Sequence, residues 1–145
     1  MNGPILLVED NDDDIFFFQR AMKRAELTHP LFSVKDGRQA INYLDGVGEF
    51  ADRAQFPLPC LVVLDLKLPH VSGMEVLKWL RTESAVRGTI VIVFTSSHLE
   101  TDIQGAYKLG ANSFIVKPAS ADRMLQVVKT LFAYWLDVNS PPNAG

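Results

Sequence analysis

Five short apolar runs punctuate the chain, at Ile5–Val8, Leu31–Val34, Leu61–Leu64, Ile90–Phe94 and Phe114–Val116. Each is brief and mostly continuous rather than alternating, which is how strands buried on both faces of a parallel sheet read. Segments with helical spacing lie between them. The first, about Asp13–Ala25, puts Ile15, Phe18, Met22 and Ala25 on one stripe, with Asp12 or Asp13 expected to cap it. The second is about Arg38–Leu44. The third, about Met74–Arg81, is opened by Ser72 with Glu75 three residues on, a capping box. The fourth, about Leu99–Leu109, carries the same signal in Ser97 and Glu100 and is closed by Gly110. The fifth, about Ala121–Leu136, carries Met124, Leu125, Val128, Leu131, Phe132 and Trp135.

A strand–helix unit repeated five times predicts an α/β domain, a doubly wound five-stranded parallel sheet with helices on both faces, because each crossover is right-handed. Val47–Pro59, with Gly48, Pro57 and Pro59, reads as an exposed loop, and Asn139–Gly145 as a flexible tail. One domain over residues 1–138 is expected, with residues 139–145 as the tail and no room after the fifth helix for an output domain.

Composition narrows the setting. Of 145 residues, 48% are hydrophobic and 21% charged, so the chain is long enough for one domain with a real core. A net charge of −3 without a Lys/Arg block argues against nucleic acid or a membrane surface as partner. The single cysteine, Cys60, excludes an intrachain disulfide and is expected to pack in the core. Neither a signal peptide nor a membrane span is visible, so a soluble, cytoplasmic protein is expected.

In an open parallel sheet, ligands sit beyond the carboxyl ends of the strands. Here those ends carry Glu9-Asp10, Asp65, Thr95 followed by Ser96 and Ser97, and Lys117-Pro118; Lys35-Asp36-Gly37, after the second strand, is peripheral. Three carboxylates, one hydroxyl and one ammonium are thus aimed at one small region. Three close carboxylates repel one another unless a cation sits among them, and one lysine cannot neutralise three charges. A divalent ion can, and an all-oxygen donor set suits Mg²⁺. A carboxylate attacks phosphorus to form an acyl phosphate, and Mg²⁺, a lysine and a hydroxyl stabilise the charge of a phosphoryl group in transfer. Each residue alone has a plainer role: Asp65 as a cap, Glu9-Asp10 as a solvated acidic turn, Thr95 as a strand-end β-branched residue, Lys117 as a surface lysine. What sets them apart is that all fall at the same edge. His29, His70 and His98 are scattered and suggest no histidine metal site.

With these residues in view, the chain resembles a response-regulator receiver domain of two-component signalling. The matching motifs are ILLVED at Ile5–Asp10, LVVLDLKLPHVSG at Leu61–Gly73, VIVFTSS at Val91–Ser97 and GANSFIVKP at Gly110–Pro118, at the family's spacing. The long loop before Leu61, with GRQAINYL upstream, is similar to that of stand-alone regulators that partner phytochrome-type histidine kinases. The resemblance implies a flavodoxin-like sheet with strand order 2-1-3-4-5. It makes Asp65 the phosphoacceptor, and gives Mg²⁺ the direct ligands Asp10, Asp65 and the Lys67 carbonyl, with Glu9 assisting. Lys117 would pair with the phosphoryl group, Thr95 would move to it, and Phe114 would be the switch aromatic, working by packing because its ring donates no hydrogen bond. The Lys117–Pro118 bond would be cis. The donor would be a histidine kinase or histidine phosphotransfer protein. The chain would be no enzyme beyond catalysing its own phosphotransfer and slow dephosphorylation, and it would act on a downstream protein target. The fourth-helix, fifth-strand and fifth-helix face is also expected to form a homodimer or to dock a partner, because Phe132, Tyr134 and Trp135 cannot all face the sheet.

Two other classes share parts of this pattern. A haloacid-dehalogenase-like phosphatase needs a second Asp two residues after the first, where this chain has Lys67. A flavodoxin-like FMN binder needs a Ser/Thr/Gly-rich phosphate loop after the first strand, where Glu9-Asp10-Asn11-Asp12 would repel a phosphate.

Overall fold

The computed structural model describes residues 3–142. Five strands, β1 (Ile5–Val8), β2 (Leu31–Val34), β3 (Leu61–Leu64), β4 (Ile90–Thr95) and β5 (Ser113–Val116), form one parallel sheet in the order β2-β1-β3-β4-β5. They alternate with α1 (Asp12–Arg24), α2 (Gly37–Asp45), α3 (Gly73–Thr82), α4 (Glu100–Lys108) and α5 (Ala121–Phe132). β1, β3 and β4 are buried at every position, as their unbroken apolar runs require.

Alternate residues of each strand feed opposite cores. Leu6, Val8, Val62, Leu64, Val91 and Val93 point to one face, where α2 and α3 supply Ala40, Ile41, Leu44, Val76, Leu77 and Leu80, and α4 adds Ala106. Ile5, Leu7, Leu61, Val63, Ile92 and Phe94 point to the other, against Ile15, Phe18 and Met22 of α1 and Met124, Val128, Leu131 and Phe132 of α5. The Phe18 ring meets Phe94 and Phe132 edge-on at 5.6 and 6.0 Å.

Several local expectations change. Asn11, not Asp12 or Asp13, caps α1, its side chain accepting from the Asp14 amide. Ala21 rather than Ala25 completes the buried stripe. The Ser72–Glu75 capping box forms as expected, but the Ser97–Glu100 box does not. Ser97 instead donates to the Asp102 carboxylate at 2.5 Å, a charged acceptor, and α4 starts after Leu99 without a side-chain cap. The regular α-helix α5 ends at Phe132 and the chain continues as a π-helical turn, Ala133–Val138. Cys60 is half-buried, its thiol 3.4 Å from the Gly3 carbonyl. No cis peptide occurs among the described residues, so Lys117–Pro118 is trans, the isomer that an X–Pro bond favours by about 0.5–1 kcal/mol.

The segment Val47–Pro59 is a largely exposed loop, as expected, but an anchored one. It contains a 3₁₀ turn, Gly48–Phe50, and folds its aromatics onto α2 and β2. Tyr43 and Phe50, and Phe50 and Phe56, have ring centroids 5.1 Å apart, and Phe56 lies 6.0 Å from Phe32. The Tyr43 hydroxyl donates to the Pro57 carbonyl, and Arg53 donates to the carbonyls of Leu44 and Phe56. Of the tail expected over residues 139–145, residues 139–142 carry no regular structure and residues 143–145 lie outside the described residues.

Candidate phosphoryl and metal site

The carboxyl ends of β1, β3, β4 and β5 bring the predicted residues together. Glu9 and Asp65 are buried, Asp10 is exposed, and one carboxylate oxygen from each lies within 4.8 Å of the others. This all-oxygen set suits a hard divalent cation. Lys67, just after Asp65 and Leu66, turns its side chain to solvent while its amide faces the Asp65 carboxylate at 3.4 Å.

The β3–α3 connection is held by close backbone packing. The Gly73 amide donates to the Leu66 carbonyl, and a Cβ built on Gly73 would stand 2.1 Å from the Asp65 carbonyl oxygen. Only glycine lets α3 begin so near the strand end, and this contact fixes where Asp65 points.

Lys117 is the hub. Its ammonium pairs with Glu9, with Asp14 at 2.8 Å and with Asp65 at 2.9 Å, all three donors reaching carboxylates. Its amide donates to the Thr95 carbonyl at 2.7 Å, which ties β5 to β4 at the site. Burial by itself would lower the lysine pKa, but the hydrogen bonds to Asp14, Glu9 and Asp65 outweigh it and hold the pKa above the usual lysine value. Burial drives the Glu9 carboxyl up to about 7; the Asp65 charge pushes the same way, and the hydrogen bond from Lys117 opposes both.

Asp14 was not visible as a site residue in the sequence. It reads there as one more acid at a helix start, yet Asn11 capping turns it toward the end of β5. It shares with Lys117 the wall of a cleft of about 240 Å³ between α1 and the β5–α5 loop, which Phe17, Arg20, Pro118 and Met124 also line.

Thr95 is fully buried, and its hydroxyl oxygen has no hydrogen-bond partner. An unmet buried hydroxyl costs about 1–3 kcal/mol, so this group has something to gain from a new acceptor. Phe114, opposite Val93 in the β4–β5 register, is only partly buried against the core on the α2–α3 side.

The raised Glu9 pKa sets a pH dependence. Between 4.5, the ordinary value, and about 7 the native state holds a proton that the unfolded chain has released, so metal-free stability falls as pH rises through that interval. Thermal melts in chelator at its two ends are expected to give the higher midpoint at the acidic end, and Glu9→Gln should flatten the difference. A wild-type midpoint that climbs with pH would contradict this.

A five-stranded parallel sheet in this order, with its polar residues gathered at the carboxyl edge, defines a flavodoxin-like α/β module of the receiver type. Residues 5–129 match the response regulator receiver domain family, and the chain belongs to that family. A probable methanogenesis regulatory protein, FilR2 of Methanothrix harundinacea, is 36% identical over 138 residues, 95% of this chain and 86% of its own length. The response regulator Rcp1 of Synechocystis is 32% identical over 140 residues, 97% of this chain and 93% of its own. A solved structure of Rcp1 in its Mn²⁺-bound form superposes with a TM-score of 0.86 at 31% identity, covering 97% of this chain and 99% of that one. The phosphorylated cyanobacterial phytochrome response regulator RcpA superposes with a TM-score of 0.89 at 34% identity, covering 99% and 100%. The chain is thus a phosphorylation-dependent signalling switch, and neither the phosphatase nor the FMN-binding reading is supported. No helix among the described residues is long and apolar enough to cross a membrane.

Proposed function

We propose that Asp65 is the phosphoacceptor of this switch and that a histidine kinase, of the phytochrome type, or a histidine phosphotransfer protein is the donor. The observation that carries the reading is one buried ammonium joining Asp65 to Glu9 beside a converged set of three carboxylates. Relatives described as a phytochrome response regulator in phosphorylated form and as a Mn²⁺-bound form support it.

An Asp65 carboxylate oxygen attacks the phosphorus; the new O–P bond forms as the P–N bond to the donor histidine breaks. Glu9, Asp10, Asp65 and the Lys67 carbonyl would hold Mg²⁺, which supplies positive charge to the phosphoryl oxygens when bound. Lys117 keeps its proton throughout and places its ammonium against the transferring group. The chain in this way catalyses its own phosphotransfer, and slow hydrolysis resets it. Acetyl phosphate with Mg²⁺ is expected to add one phosphoryl group, stable in acid and labile in base, as read by intact mass. Asp65→Asn should remove it, and the same adduct in the Asn variant would sink the assignment.

Output follows from Thr95. Its unpartnered hydroxyl gains an acceptor when the phosphoryl group arrives, and the space it leaves lets Phe114 turn inward. The switch is then a shift between two packings, driven by what the phosphoryl group contacts in only one of them. The face that feels this carries Leu99, Tyr107, Val116 and Tyr134, each 43–60% exposed. Exposed aromatics favour interfaces, and this face is the one proposed to meet a downstream protein target or a second copy. Sedimentation is expected to show dimers that tighten with beryllofluoride and weaken in Tyr134→Ala. A monomer in every condition, with unimpaired target binding by Tyr134→Ala, would rule the face out.

A further inference from the structure

We infer that Asp14 is a positioning residue for the metal site: it gives the Lys117 ammonium a place to rest while a divalent cation occupies Glu9, Asp10 and Asp65. The inference rests on the proposed function and extends it to a residue outside the converged carboxylates.

The Lys117 ammonium has three hydrogens and three carboxylate partners. Two of them, Glu9 and Asp65, belong to the group whose oxygens converge within 4.8 Å, and Asp14 stands outside it. Ammonium and cation therefore compete for Glu9 and Asp65, and neither competes with the other for Asp14. A cation that draws electron density from the two buried carboxylates weakens their bonds to Lys117. A buried ammonium that loses its partners is costly, and the Lys117 side chain is only 12% exposed. Asp14 lowers that cost.

Asp14 is built to stay in place. Its amide is bonded to the Asn11 side chain, and the Asn11 amide in turn is bonded to Glu9 Oε2 at 3.2 Å. The anchor and the metal group thus share one rigid turn at the end of β1. Its carboxylate lies in the first turn of α1, where the helix dipole favours negative charge. Asp13, the preceding residue in the same turn, is exposed, carries the same charge and makes no ion pair with Lys117.

That neighbour supplies the control. Mg²⁺ affinity is measured by calorimetry on the full chain. Asp14→Asn is expected to weaken it by about fivefold, within the range of coupling between contacting residues. Asp13→Asn, which removes a similar charge without touching Lys117, is expected to change it less than about twofold. In a Lys117→Met background the effect of Asp14→Asn should vanish, because nothing remains to be parked. Equal weakening by Asp13→Asn and Asp14→Asn, no weakening by Asp14→Asn, or full persistence in the Lys117→Met background overturns the inference. Should Lys117→Met fail to fold, the Asp13–Asp14 comparison decides alone. Absence of Mg²⁺ binding by the unsubstituted chain overturns the proposed function itself, and the inference with it.

Discussion

Lys117→Met is expected to cost the metal-free protein about 3 kcal/mol or more at slightly alkaline pH, the scale of removing one partner from a buried ion pair. The side chains left behind are poorly hydrated: Glu9 is 3% exposed and Asp65 8%. With the ammonium gone they face each other with nothing between them. The loss should shrink as pH falls, because Glu9, whose pKa burial raises and Lys117 holds down, takes up a proton more readily once the lysine is gone. It should also shrink in millimolar Mg²⁺, because a cation can stand where the ammonium stood. Urea unfolding midpoints at two pH values, with and without Mg²⁺, give all four numbers. A midpoint unchanged in every condition would mean that Lys117 is only a surface group near acids. The variant should still accept a phosphoryl group slowly from a small donor, yet fail to pass the change to its partner. Normal signalling by it would remove Lys117 from the coupling.

Asp10→Ala is expected to act with the opposite sign on the fold and more strongly on the metal. Asp10 is the exposed member of the three converging carboxylates, and no ion pair to Lys117 depends on it. Its removal takes one negative charge from the cluster, so the metal-free melting midpoint should rise. The same removal deletes a proposed direct ligand, and Mg²⁺ affinity should fall about tenfold or more, the outer limit being undetectable binding. Phosphorylation by acetyl phosphate should fall with it. Calorimetry and thermal melts on the same preparation separate the two effects. Unchanged Mg²⁺ affinity would make Glu9 or another group the main ligand. Taken together, one variant loses a cation from the site and the other an anion, and opposite shifts in metal-free stability are the electrostatic signature of a single shared cluster.

The sheet was legible because its signal is local. Ile5–Val8 and Leu61–Leu64 are strands with the same bounds as the apolar runs, since a strand buried on both faces must be apolar at every position, and Leu31–Val34 keeps its predicted bounds at the sheet edge, where Ser33 is exposed. Glu9, Asp10, Asp65, Thr95 and Lys117 were legible as a group for a topological reason: every strand in a parallel sheet ends at the same edge. Asp14 was not, because its pairing partner is 103 residues away and nothing in DNDDD marks one acid above the next. The segment 47–59 is the exposed loop its composition predicts, but the anchoring of its two aromatics was not legible. Its Gly and Pro residues do mark a turn-rich path, but Phe50 and Phe56 reach a hydrophobic surface made by Phe32 and Tyr43, which only the assembled fold presents. Ser97 and Glu100 matched a capping pattern, and the competing acceptor was Asp102, inside the helix that the pattern was meant to start.

The reach of the Lys117 contacts also bears on the order of folding events. The ammonium joins residues 103 and 52 positions away along the chain. Such contacts are expected to close late, after the loop entropy of bringing the carboxyl ends of β1, β3 and β5 to one edge of the sheet has been met. Interactions absent from the transition state govern how fast the native state is left, not how fast it is reached. Charge changes at this site should therefore appear in the unfolding limb of a chevron and leave the folding limb nearly untouched. A cation bound there would then act chiefly as a brake on unfolding, lengthening the lifetime of the folded molecule.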